Sequence, residues 1–148
     1  MLKKLQNDDS IDETTTAVPT MGVNLFNVKI NQKEYQIREL GGTMAPLWPK
    51  YYEGVTKVIY VVDASNLCQI SAAGVLLYST LVHPSLQNAK FVLVLTKMDL
   101  SYRQMRNEAL LMLQMKRLMK EIPQSMTITE ASAITGEGKE EILKWIAK

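Results

Sequence analysis

At 148 residues, 47% apolar and 22% charged, the chain has the size and composition of one globular, soluble domain and not of a disordered segment. Seventeen basic against fifteen acidic residues leave a net charge of +2, which gives no electrostatic case for nucleic acid or an anionic membrane surface. The longest apolar runs, residues 58–62 and 91–95, are far too short to span a bilayer. A lone Cys68 excludes an internal disulfide and fits a reducing, cytoplasmic compartment.

The opening residues Met1-Leu2-Lys3-Lys4-Leu5-Gln6 lack the apolar core of a secretory signal. Leu2 stands where a myristoylated chain has glycine, and the C-terminus carries no prenylation box, so no lipid anchor is expected. Residues 2–6, with Leu2 and Leu5 on one side, read as the tail of an amphipathic helix. Residues 7–18 are polar and rich in Asp and Thr, which predicts a flexible loop. Two strands follow, Val23–Ile30 and Lys33–Leu40, the second alternating through Tyr35, Ile37 and Glu39. Asn31-Gln32 is short enough to join them as a hairpin. Gly41-Gly42 ends the second strand.

Residues 58–63 form a nearly all-apolar run that predicts a strand buried on both faces of a parallel sheet. Residues 71–82 predict a helix with Val75, Leu76, Leu81 and Val82 toward the core. Residues 91–95 predict a second buried strand, and residues 102–121 a helix with Leu and Met at helical spacing. A short strand at 126–128 and a helix at 139–148 close the chain. There are no internal repeats. The alternation of strand and helix predicts a doubly wound α/β domain over residues 1–148, with ligands beyond the carboxyl ends of its strands.

Several polar residues stand out. Taken alone, Pro19-Thr20-Met21-Gly22 reads as a loop entering a strand, Gly41-Gly42 as a turn, Asp99 as a helix cap and Ser132-Ala133 as a loop. His83, before Pro84 at a helix end, reads as a solvated cap. The nine methionines, most of them between 102 and 126, read as core filler.

In order, however, these segments form a set. Pro19-Thr20-Met21-Gly22-Val23-Asn24, Glu39-Leu40-Gly41-Gly42, Pro46-Leu47-Trp48 with Tyr51-Tyr52, Val61-Val62-Asp63-Ala64-Ser65, Thr96-Lys97-Met98-Asp99-Leu100 and Ser132-Ala133 together resemble the Arf and Arf-like branch of the small GTPases. The resemblance runs from about residue 2 to the end. It implies a small G-protein three-layer sandwich and a GTP/GDP-dependent molecular switch that uses Mg2+.

By that resemblance, Thr20 would offer its hydroxyl to magnesium and the terminal phosphate, and Gly22 would shape the loop around it. Gly41 and Gly42 would let backbone approach a phosphate, where a Cβ would obstruct it. The magnesium-holding Asp of the family falls at Glu39, one methylene longer. Asp99 would read guanine, since two carboxylate acceptors match its ring N–H and exocyclic amine. Lys97 would lay its stem along the base. Thr96 replaces the family's Asn and removes an amide donor. Ser132-Ala133 would offer an N–H to the guanine oxygen. Trp48, Tyr51 and Tyr52 are expected as exposed aromatics that contact protein effectors.

Two departures shape the functional expectation. The family's catalytic glutamine falls at Thr43, too short to orient a water, so weak or absent intrinsic hydrolysis is expected. No Gly-x-x-x-x-Gly-Lys-[Ser/Thr] loop occurs, and the resemblance places that loop before residue 2. It also places the family's first strand between Lys33–Leu40 and 58–63, which predicts an interruption in the sheet there. A nucleotide-independent interaction module that keeps the aromatic face is therefore the rival to the switch. A flavodoxin-like domain for another phosphate ligand leaves Thr96-Lys97-Met98-Asp99 and Ser132-Ala133 unaccounted for.

Overall fold

The computed structural model describes residues 22–99 and 103–148. The helix expected at 2–6, the loop at 7–18 and Thr20 lie outside the described residues. Among the described residues there are five strands and four α-helices. β1 (Val23–Ile30) and β2 (Lys33–Leu40) form an antiparallel hairpin, while β3 (Lys57–Asp63), β4 (Lys90–Thr96) and β5 (Met126–Glu130) form a parallel sheet in that spatial order. Four α-helices accompany them: α1 (Ile70–Leu81), α2 (Arg103–Met112), α3 (Met115–Glu121) and α4 (Lys139–Ala147).

The hairpin turns where expected. Asn31 and Gln32 both take positive φ, 51° and 66°, the left-handed turn backbone that follows the twist of the flanking strands. Beyond β2, Gly42–Tyr51 winds as a 3₁₀ segment kinked at Met44, and its two prolines, Pro46 and Pro49, keep it out of an α-helix.

β4 sets the layers. Its residues Phe91 to Leu95 are all fully buried, as a central parallel strand requires. Phe91, Leu93 and Leu95 face a core with Tyr60, Val62, Ile70, Leu77, Leu81, Ala109 and Leu118, which places α1, α2 and α3 on one side. Val92 and Val94 face the other way, against Ile142 and Ile146 of α4, with Ile30, Tyr35, Ile37 and Ile59 packed around them. The result is three layers, as expected, with the hairpin seated beside α4. Lys57 fastens that side: its ammonium donates to the Ile146 carbonyl and lies 5.8 Å from the Trp145 ring centroid.

Four expectations need correction. β3 is not buried on both faces, because Val61 is 51% exposed, and among the described residues β3 pairs with β4 alone. The core face of α1 is as expected at Leu81 and at the half-buried Leu76, but Ile70 and Leu77 complete it while Val75 (66%) and Val82 (51%) face outward. The single helix expected over 102–121 is two helices, because Gln114 adopts left-handed backbone with φ 53° and ends the first. Finally, Tyr52 is a core residue, only 8% exposed; its hydroxyl shares a hydrogen bond with Thr80 and its ring stands edge-on to His83 at 4.9 Å. His83 is the cap expected of it, with Nδ1 accepting from the Ser85 N–H.

Candidate guanine-recognition site

The parallel strands end level with one another. Asp63 at the end of β3 is the register partner of Thr96 at the end of β4, and Leu95 is the partner of Glu130 at the end of β5. Loops leaving a parallel sheet at this edge collect ligand-binding groups on rigid supports. Here they bring together Asp63, Thr96, Lys97, Asp99 and Ser132.

The loop after β4 is held from both sides. On the β3 side the Ala64 N–H donates to the Thr96 carbonyl at 3.2 Å, and the Thr96 hydroxyl donates to the Val62 carbonyl at 3.3 Å. On the β5 side the Ala131 N–H donates to Leu95 at 2.8 Å and the Met98 N–H donates to Ala131 at 3.2 Å. Between these anchors Lys97 takes positive φ, 58°, a conformation a non-glycine residue adopts at a cost of about 1 kcal/mol. The turn sends Lys97 toward β3 and Asp99 toward β5.

Each of the two side chains meets a partner there. The Lys97 ammonium lies 2.8 Å from Asp63 Oδ2. Asp63 Oδ1 accepts from both the Ser65 N–H at 2.9 Å and the Ser65 hydroxyl at 2.6 Å. Partial burial alone would raise the Asp63 pKa, but the Lys97 and Ser65 hydrogen bonds outweigh it and hold the carboxyl below its ordinary value. Asp99 Oδ1 accepts from the Ser132 hydroxyl at 2.6 Å. Ser132 is itself 1% exposed, and its oxygen also accepts from the Thr135 N–H at 3.2 Å, so the donor is fixed in direction.

A tight turn supports Ser132. Its N–H donates to Glu137 and its carbonyl accepts from Gly136, and the chain then reverses through Gly138 at φ 79°. A Cβ on Gly138 would sit 2.0 Å from the Glu130 carbonyl oxygen, so only glycine fits this close approach. Ala133 follows Ser132 at the same edge, half-buried.

The second group of expected residues lies at the other end of the hairpin. The Gly41 N–H donates to Gly22 at 3.2 Å, extending the β1–β2 ladder, and the Gly41 carbonyl accepts from the Trp48 indole at 2.9 Å. Gly42 has open space where a Cβ would lie, and Thr43 is exposed. Glu39 is half-buried and accepts from its cross-strand partner Asn24 at 3.1 Å. Trp48 is half-buried, with its ring edge-on to Tyr60 at 6.2 Å. Tyr51 is also half-buried; its ring lies 5.6 Å from the Arg38 guanidinium, which donates to its carbonyl.

Sequence reasoning left Asp63 without a role. The signal was a lone carboxylate ending an apolar strand at the ligand edge, but the Lys97 contact spans 34 positions and shows only once the strands are in register.

Residues 1–148 match the ADP-ribosylation factor family, Arf. The human ADP-ribosylation factor-like protein 16 is 32% identical over 152 residues, covering 99% of this chain and 77% of that protein. ADP-ribosylation factor-like protein 1 of Saccharomyces cerevisiae is 30% identical, covering 92% of this chain and 74% of that protein. Among solved structures, the Arl6 BBS3 small GTPase from Trypanosoma brucei, with the nucleotide analogue GppNp bound, shares the fold with a TM-score of 0.79. Its identity is 20%, over 99% of this chain and 89% of that one.

Proposed function

We propose, for a chain that belongs to the ADP-ribosylation factor family, a guanine-nucleotide-dependent molecular switch in the cytoplasm whose base recognition lies at the ends of β4 and β5. The observation that carries this reading is Asp99, an exposed carboxylate held by the buried Ser132 hydroxyl at 2.6 Å. A carboxylate fixed in this way can accept from the ring N–H and exocyclic amine of guanine together, whereas adenine does not offer that donor pair. Lys97 supplies an aliphatic wall for the base. Thr96 and Ala133 complete the loops, the latter with its backbone N–H toward the guanine oxygen.

At the hairpin end, Gly22, Gly41 and Gly42 are assigned to the phosphate side with Thr20. Magnesium takes one or two protein oxygens and completes its shell with water and substrate phosphates, so a single carboxylate suits it. Glu39 would be that carboxylate and the Thr20 hydroxyl a second ligand; the ion would neutralise phosphate charge. Thr43 at the glutamine position gives weak or absent intrinsic hydrolysis, because its hydroxyl is too short to direct a water. Burial removes Tyr52 from the effector face, which passes to Trp48, Tyr51 and the exposed Leu47.

Titration of the complete chain with a fluorescent GDP tests the central assignment. Saturable binding at micromolar affinity or tighter is expected, weakened about a hundredfold in Asp99→Asn, whose amide keeps one acceptor, loses the charge and turns an NH2 group toward the other guanine donor. A titration that never saturates, or an Asp99→Asn chain that binds equally well, refutes it in favour of a nucleotide-independent interaction module.

A further inference from the structure

We propose that Asp63 is a positioning residue for guanine recognition, setting the Lys97 side chain in place before the base arrives. The inference rests on the guanine assignment above and adds a third strand end to it.

An ion pair of this exposure would ordinarily carry little meaning, since two flexible side chains meet in water. Three observations set this one apart. Asp63 is not free to rotate: Ser65 takes one of its oxygens through both backbone N–H and hydroxyl, which turns the other oxygen toward Lys97. Lys97 is not on relaxed backbone, and its left-handed turn starts the side chain toward β3. Third, the strand ends beneath are locked, with the Ala64 N–H on the Thr96 carbonyl and the Thr96 hydroxyl on the Val62 carbonyl. Carboxylate and ammonium thus stand on adjoining strand ends whose separation is fixed by register.

The chemistry that follows concerns the stem of Lys97. A lysine on an open loop samples many rotamers and must give them up when a flat ring lies along its methylenes. Anchoring the ammonium at Asp63 makes that loss before binding, so the ring meets a wall already in place. Thr96 cannot serve as this brace, because its hydroxyl is directed to Val62. The site is then bracketed by two carboxylates in different roles: Asp99 touches the base, and Asp63 acts on it only through Lys97.

A double-mutant cycle on the complete chain, read by fluorescent GDP titration, tests the proposal. Asp63→Asn keeps the side-chain shape, and about fivefold weaker binding is expected, the upper range for an exposed pair. Lys97→Met keeps the apolar stem without the ammonium, and adding Asp63→Asn to it is expected to change affinity no further. Ser65→Ala, which frees Asp63 to rotate, is expected to weaken binding about twofold; it also serves as the second probe if Asp63→Asn misfolds. Equal affinity in wild type and Asp63→Asn, or an undiminished loss in the Lys97→Met background, overturns the positioning role while the guanine assignment stands. Wild-type binding that is insensitive to Asp99→Asn instead brings down the guanine assignment, and this inference with it.

Discussion

The two ends of the site are built on different supports. The residues proposed for base recognition sit on the carboxyl edge of a parallel sheet, where every loop is tied to the strand beside it and the glycine at the β5–α4 turn admits no larger residue. The glycine and aromatic segment sits on a two-stranded hairpin that, among the described residues, shares no ladder with that sheet. It is fastened by Trp48 on Gly41 and against Tyr60, Arg38 on Tyr51, Tyr52 on Thr80 at its far end, and a few apolar side chains against α4. A recognition element gains from rigidity, because its geometry must be in place before the ligand arrives. A signalling element gains from being detachable, because it must have a second arrangement available.

The contrast can be broken at its rigid end first. Gly138→Ala forces a Cβ onto the Glu130 carbonyl at a positive φ, and about 3 kcal/mol of stability is expected to be lost in urea unfolding. A loss near zero would show that the Ser132 turn yields, and the rigid-end account with it. Trp48→Phe probes the detachable end. Removing the indole donor to Gly41 is expected to cost about 1 kcal/mol. Amide hydrogen exchange should rise in β1 and β2 while β4 stays protected; a uniform rise across both sheets would erase the distinction.

The smallest effect is one of pH, at the junction of Asp63 and Lys97. The Asp63 carboxyl is held below the ordinary 3.8, so its share of stability is complete above that value and is lost as pH falls through the lower, folded-state value. The difference in thermal midpoint between wild type and Asp63→Asn is expected to stay flat from about pH 7 to about pH 5 and to shrink only below the ordinary carboxylate value. A difference that fades in the neutral range would place the dependence on another group.

Local chemistry made part of this readable in advance. The 91–95 run reads rightly as a strand buried on both faces, but the equally apolar 58–62 run leaves Val61 exposed, so an unbroken apolar stretch alone does not tell a central strand from an outer one. The hairpin is legible from two strands and a two-residue gap. The Asp99 and Ser132 assignments came from a family pattern and acquired a physical form only with their 2.6 Å contact. The core face of α1 was only half readable, right at Leu76 and Leu81 and wrong at Val75 and Val82, because Ile70-Ser71-Ala72-Ala73-Gly74-Val75-Leu76-Leu77 has no charged side to orient it. The break at Gln114 carries neither Gly nor Pro. Tyr52 looks like a surface aromatic until α1 brings Thr80 and His83 against it from about thirty positions away.

Among the described residues β3 pairs on one side only, and this has a further consequence. The strand carries Val58-Ile59-Tyr60-Val61-Val62, an apolar stretch with an outward Val61, and such stretches at a sheet edge are the features by which strands add to one another and grow fibrils. What flanks it is Lys57 on one side and Asp63 on the other, charges that penalise stacking with an identical neighbour in register. The carboxylate proposed to steady Lys97 is thus one of the two charges beside this stretch, and neutralising it is expected to lower solubility at high protein concentration.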